Sequence, residues 1–171
     1  MTRDEDRFPI DDFCRRMYPR LVGSLGLYTG DIYLAEELAQ ETLARVWRDR
    51  KKVARLDHPE AWTHKVAFNL ARSHFRRRAI EFRASRRMAG NETHFDPDIA
   101  ERESMKSMMS GLSTRQRQSV ILRYYLGYSY RDIARAMDAP EPTVRSHVRR
   151  ALERLRLDAE TRALEETPDA R

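Results

Sequence analysis

Apolar residues recur along this chain at the three- and four-residue steps of α-helices, a rhythm that predicts an all-α fold of two small helical domains joined by a flexible linker. From about Pro9 to Tyr28, Phe13, Met17, Leu21 and Leu25 repeat every four residues, with Tyr18 and Val22 beside them. This is a helix with a broad buried face, ended by Gly26 to Gly30. Asp31 caps a second helix running to about Lys52. There Leu34, Leu38, Thr42 and Val46 form one inward row and Ala35, Ala39, Leu43 and Trp47 the adjacent one, while Glu36, Glu37, Gln40 and Glu41 point elsewhere. Asp57-x-x-Glu60, with Pro59 in the first turn, opens a third helix as a capping box. Trp62, Val66 and Leu70 make its stripe, and Phe75 and Phe82 continue it among Arg72, Arg76, Arg77, Arg78, Arg83, Arg86 and Arg87.

A second group of helices follows between Leu112 and Arg156. Val120, Ile121, Tyr124 and Tyr125 are the apolar side of the first. Ile133, Ala134 and Met137 are that of the next, over Tyr130 to Met137. The last begins at about Glu141 and aligns Val144, Val148, Leu152 and Leu155, with Arg145, Ser146, His147, Arg149, Arg150 and Arg154 between them. Asp138-Ala139-Pro140 leaves room only for a tight turn. This is a helix-turn-helix layout, in which one helix crosses the DNA backbone and the next enters the major groove. Arg pairs bidentately with guanine there, and Ser serves donor or acceptor edges. An amphipathic hairpin with a solvated basic face fits the periodicity as well.

Charge sharpens this picture. The 171 residues carry a net charge of +6, with 35% charged and 9% aromatic side chains, which favours small bundles over one large core. The sign alternates along the chain: residues 1–44 are acidic, 45–87 strongly basic, 88–111 acidic, 112–157 basic and 158–171 acidic. Two basic blocks separated by an acidic span suggest two places that touch phosphate. The acidic first block suggests a surface for another partner. The single cysteine, Cys14, has no internal disulfide partner and reads as a packing residue in a reducing cytoplasm. No apolar run approaches the roughly 20 residues that span a bilayer, and the acidic start does not look like a signal peptide. Gly23, Gly26 and Gly30 lack the Lys-Ser/Thr ending of a phosphate loop.

The motifs resemble those of a known family. Leu112-Ser113-x-x-Gln116, the run Tyr128 to Ala134, and Thr143-Val144-Arg145-Ser146-His147-Val148-x-Arg150-Ala151 look like the promoter −35 reading domain of bacterial RNA polymerase sigma factors. The second helix looks like the polymerase-binding segment. Residues 58–78 resemble the region that opens and reads the −10 element, with Trp62, Asn69 and Arg76 on recurrent positions. The chain departs from the family's usual residues at Ser73, Ser113, Asp132, Asp138, Pro140 and Pro142. Its length leaves no room for the middle domain of primary sigma factors, so it resembles the small extracytoplasmic-function (ECF) type.

The resemblance implies a promoter-specificity subunit without catalysis, cofactor or metal. On it, Glu37, Gln40 and Glu41 meet core RNA polymerase, and Trp62, Asn69, Arg72, Arg76, Arg77 and Arg78 meet the −10 region of promoter DNA. Thr143, Arg145, Ser146, Arg149 and Arg150 meet the −35 region. Aromatic rings interleaved with a basic run suit an opened strand, because bases stack on them at roughly 1–3 kcal/mol each. A polar stretch at 88–111 is the linker, with a short helix from about Asp98 to Met109. Fully extended it would reach on the order of 80 Å, against about 70 Å for two turns of B-DNA. The tail after Arg156 is expected to fray. An anti-sigma partner is implied, and insertion into a membrane is not. Two other readings stay open on the residues alone: a dimeric helix-turn-helix regulator acting without polymerase, and a DNA-processing enzyme holding a metal through Asp96, Asp98, Glu101 and Glu103.

Overall fold

A computed structural model describes residues 8–88, 109 and 111–165. Within them lie seven α-helices and one π-helical turn, and no strand. The linker, its acidic cluster, its short helix before Met109 and the side chain of Phe82 fall outside what is described.

The first half is built by α1 (Ile10–Thr29), α2 (Ile32–Arg48), the single turn α3 (Arg50–Val53) and the long α4 (Pro59–Met88). Helix α1 buries Phe13, Met17, Leu21, Leu25 and Tyr28. Gly26 lies inside it, and only Gly30 ends it, in the left-handed conformation (φ 71°) with its N–H on the Gly26 carbonyl. The Asp31 carboxylate accepts the N–H groups of Tyr33 and Leu34, so the expected cap starts α2. Helix α2 stops at Arg48 rather than Lys52, and α3 follows. Trp47, expected inward, is 47% exposed because it lies at the end of α2, where Arg50 covers its ring at 5.7 Å.

The start of α4 also differs from expectation. Trp62 N–H bonds the His58 carbonyl, so His58 flanks the helix and Asp57 stands one residue too early to form a capping box. The buried side of α4 is Ala61, His64, Ala67, Phe68 and Ala71, with Leu70 at its margin. Trp62 and Val66 are only half-buried, because α1 and α2 approach from a direction one residue further round the helix.

The second half comprises α5 (Thr114–Val120), the π-helical turn Ile121–Tyr125, α6 (Tyr130–Met137) and α7 (Glu141–Glu165). Ser113 and Gln116 form a reciprocal capping box at the head of α5. The π-turn inserts its wider step where a regular helix was expected. Ile121 and Leu122 therefore face inward, and Tyr124 and Tyr125, expected in the core, are 58% and 52% exposed. Asp138 ends α6 in the left-handed conformation (φ 54°), which Asp tolerates better than most residues. Pro140 precedes α7 and its carbonyl accepts the Val144 N–H, while Pro142 sits in the first turn where no donor is missed. The inward stripe of α7 is Val144, Val148 and Ala151, with Leu155 half-buried. Leu152, expected in that stripe, is 40% exposed. The helix also continues through Glu165, past the expected end at Arg156.

The two halves pack against each other through α1 and α4 on one side and the π-turn and α6 on the other. Tyr125 reaches into the notch at Gly23 on α1, where a Cβ would lie 2.0 Å from its hydroxyl. Replacing a helical Gly by Ala ordinarily stabilises by roughly 0.5–1 kcal/mol. Gly23→Ala is therefore expected to firm up α1 yet expel Tyr125, which hydrogen exchange would register as slower exchange in residues 14–28 and faster exchange in 121–128.

Candidate nucleic-acid interface

Three exposed faces carry the residues singled out in the sequence. On α2, Tyr33, Glu37, Gln40, Ala44 and Trp47 follow one another at steps of four and three, which is one stripe, and all five are exposed. Glu37 and Gln40 stand at its middle. Glu41 lies beside the stripe, its carboxylate taken by the Arg45 guanidinium at 2.6 Å. Tyr33, at 78%, and Trp47 are exposed aromatics that flank the acidic positions. Sequence reading missed both as surface residues, although the even spacing of Tyr33 with Glu37 and Gln40 was the available signal.

On α4, Trp62, Asn69, Arg72 and Arg76 share one side of the helix. Asn69, Arg72, Ser73 and Arg76 line an open cavity, with an Arg72 N–H donating to the Asn69 side-chain carbonyl. Lys52 lies over the Trp62 ring at 5.6 Å, so cation and aromatic are interleaved there. Arg77 and Arg78 are exposed, but the helical step carries Arg78 half a turn away from Asn69. One face thus gathers four of the six expected residues.

The basic side of α7 presents Thr143, Arg145, Arg149 and Arg150 exposed and Ser146 half-buried. Arg145 is held twice: its guanidinium meets the Glu141 carboxylate at 2.7 Å and lies over the Tyr130 ring at 4.1 Å. Arg149 pairs with Glu153 at 2.7 Å. His147 is partly buried among cations, and burial first, then Arg115 and Arg150, hold its pKa below the usual value. In α6, Asp132 accepts from the Ser129 hydroxyl and pairs with Arg135 at 3.0 Å. The serine bond is the main reason its pKa is depressed. A shorter acid therefore closes the start of that helix, and the oxygen that meets Arg135 also lies 3.6 Å from Nδ1 of His58 in the first half.

The seam between the halves is polar at its centre. An Arg117 N–H donates to the Tyr28 carbonyl at 2.9 Å, and Arg20 reaches the Leu126 carbonyl at 3.5 Å. Lys65 meets Asp138 at 3.3 Å. The Tyr128 hydroxyl lies 2.8 Å from Nδ1 of the fully buried His64, whose ring it also meets edge-on. The Glu60 carbonyl is 3.0 Å from the same nitrogen. A carbonyl only accepts, so Nδ1 carries the proton when that bond is made, whereas Tyr128 donates only when the proton sits on Nε2. Nε2 has no partner among the described residues in either case. Burial is the main reason that the His64 pKa falls to about 4 and the Tyr128 pKa is raised. Arg72, from the first half, is lowered by burial and then by repulsion from Arg115 of the second. Cys14, half-buried on α1, has its thiol pushed up by burial and then by Asp11, which disfavours the reactive thiolate.

Comparison with known proteins separates the same two halves. The family pattern described as Sigma-70 region 2 matches residues 13–80, and that described as Sigma-70, region 4 matches residues 102–155. The chain is 32% identical over 168 residues to the ECF RNA polymerase sigma factor SigK of Mycobacterium ulcerans, covering 92% of this chain and 88% of that one. It is 31% identical over 137 residues to the ECF sigma factor SigL of Mycobacterium tuberculosis, covering 75% and 76%. Among solved structures, the sigma factor RpoE in complex with the anti-sigma factor NepR, from Bartonella quintana, superposes with a TM-score of 0.69 at 26% identity, over 84% of this chain and 94% of that one.

The buried histidine makes the seam sensitive to acid. A His whose folded pKa lies below its unfolded value contributes stability that is complete above about pH 6.5 and is lost as pH falls toward 4. A shift of this size corresponds to a loss on the order of 3 kcal/mol. Tyr128, whose pKa is raised, faces the His64 ring directly and stays protonated across that window. The pH dependence of hydrogen exchange at residues 121–130 should therefore be steep between pH 6.5 and 4 in the native chain and flatter in His64→Gln, the difference between the two chains isolating the contribution of this ring.

Proposed function

The chain belongs to the ECF sigma factors of the sigma-70 family, and from that premise we propose how its surfaces divide the work of promoter recognition. It is an alternative sigma factor that binds core RNA polymerase and directs it to promoters. Sigma factors are regulatory subunits rather than catalysts, and on our reading this chain performs no chemistry of its own. The polymerase does. A dimeric regulator working without polymerase is not favoured, because the first half matches region 2 as well as the second matching region 4.

In the proposed division, residues up to 87 hold the polymerase and the −10 element, and residues 112–157 hold the −35 element. The α2 stripe docks on core polymerase, with Glu37 and Gln40 at its centre, Glu41 at its edge and Tyr33 and Trp47 flanking. Acid and amide groups there suit a basic partner surface. The α4 face takes the −10 region: Trp62, Asn69, Arg72 and Arg76 contact the strand, and Arg77 and Arg78 grip phosphate. The α7 face takes the −35 region through Thr143, Arg145, Ser146, Arg149 and Arg150. The observation that carries this reading is that the α2 stripe and the α7 basic face occur on one chain and both lie clear of the seam.

The packed halves then have a further role. A body of this size is on the order of 40 Å across, and two turns of DNA are about 70 Å. Holding both promoter elements at once therefore requires the halves to part. An anti-sigma partner fits this picture, given the likeness to RpoE, whose structure is that of a complex with NepR. No described helix is long and apolar enough to cross a membrane, and we place the chain in the cytoplasm, beside polymerase.

Purified chain with core polymerase is expected to produce transcripts from defined start sites. The Glu37→Ala/Gln40→Ala variant should bind core on the order of tenfold more weakly, about 1.4 kcal/mol, as titrated by fluorescence anisotropy; unchanged affinity would remove this face from the interface. Fluorophores on Arg48 of α2 and Arg156 of α7, each replaced by Cys in a Cys14→Ser background, should move apart when core and promoter are added together. A constant transfer efficiency would mean that the halves do not separate.

A further inference from the structure

Arg145 differs from the other cations of the reading helix in being fixed before any DNA arrives. Its neighbour Arg149 is tethered only to Glu153, one turn along the same helix. Arg145 is tethered to Glu141 on α7 and is stacked, at 4.1 Å, on Tyr130, the first residue of α6. The ring is itself held. Arg123, whose guanidinium donates to the Tyr128 carbonyl at 2.9 Å, lies 4.9 Å from the same centroid. A line of contacts thus runs from the backbone at Tyr128 through Arg123 and the Tyr130 ring to the Arg145 guanidinium. Tyr130 is half-buried, while the side chain of Arg145 is 58% exposed. The ring belongs to the body of the domain and the guanidinium faces solvent.

We propose that Tyr130 is a specificity-determining positioning residue, which orients the Arg145 guanidinium for one base edge in the major groove while making no base contact itself. The inference rests on the reading of α7 as the −35 face. Its physical basis is the shape of the guanidinium. A planar fork pairs bidentately with guanine only when its plane lies in that of the base, whereas a phosphate accepts it from many angles. Stacking on an aromatic face restricts the plane and leaves the N–H edges available. The Glu141 carboxylate occupies part of the fork and keeps it off neighbouring phosphates until the duplex competes for it. Ordering the side chain in advance also removes part of the entropy that binding would otherwise lose. Without the ring, Arg145 keeps its charge and its Glu141 partner and becomes a general phosphate contact.

The test uses holoenzyme assembled from core polymerase and full-length chain, on templates in which each −35 base pair is varied in turn, with initiation rate as readout. Tyr130→Leu keeps bulk without a π face, Tyr130→Phe keeps the face, and Arg145→Ala identifies the base position concerned. Tyr130→Leu is expected to lose discrimination on the order of fivefold at the position that Arg145→Ala relaxes and at no other. Tyr130→Phe should behave as the native chain, and the double variant Tyr130→Leu/Arg145→Ala should be no less selective than Arg145→Ala alone. A uniform loss over all templates, a loss at a different position, or Tyr130→Phe matching Tyr130→Leu would overturn the proposal. If Arg145→Ala relaxes one position and Tyr130→Leu does not, positioning by Tyr130 fails while the −35 reading stands. If Arg145→Ala has no position-specific effect, that assignment of Arg145 fails first and takes the proposal with it. Equal core affinity of all variants shows that the altered chains are folded.

Discussion

The architecture depends on how a polar seam is buried between two helical units. Tyr128, His64 and the Arg117 contact to the Tyr28 carbonyl bring hydrogen-bonding groups to a place that most small domains fill with aliphatic side chains. Such groups stabilise only when paired, and each one left unpaired costs about 1–3 kcal/mol. His64 Nε2 and the Tyr28 hydroxyl have no partner among the described residues, and Arg72 and Arg115 repel each other across the boundary. Apolar contacts run continuously through both halves, and the unpaired polar atoms make the join weaker than a wholly apolar one would be. On the proposed division of promoter contacts, a tighter join would be a defect.

Each half contributes its own apolar helix faces to one continuous core, and each exposed face is mounted on a helix. Glu37 and Gln40 are set by the register of α2, which Leu34, Leu38, Thr42 and Val46 fix on its other side. Arg145, Arg149 and Arg150 are set by Val144, Val148 and Ala151 in the same way. On the proposed division of contacts, recognition therefore sits on helices whose registers are fixed by packing within each half.

Most of the helices and all three faces were legible in the chain, because amphipathic spacing reports which side of a helix is covered. The errors have local physical causes. Tyr124 and Tyr125 were placed in the core by extrapolating a regular helix through Ile121–Tyr125, where a π-turn advances the register. Trp47 was assigned to the core by its size and spacing, yet the end of α2 outruns the helices that would cover it. The stripe of α4 lies one residue away from the one its apolar spacing predicts because a buried His64 does not look apolar, and its hydrogen-bonding partner, Tyr128, is sixty-four residues away in sequence. The seam as a whole was invisible for the same reason: nothing in either half's periodicity reports the other.

Helix α7 carries ion pairs along its length. Arg145, Arg149, Arg154 and Arg156 are each matched by an acid one turn away, Glu141, Glu153, Asp158 and Glu160. Any polyanion that approaches this helix has to draw guanidinium groups off carboxylates that already hold them. A glancing encounter that meets one pair gains little by that exchange. A lasting one needs several pairs to open together, so the helix filters its contacts by how many they are.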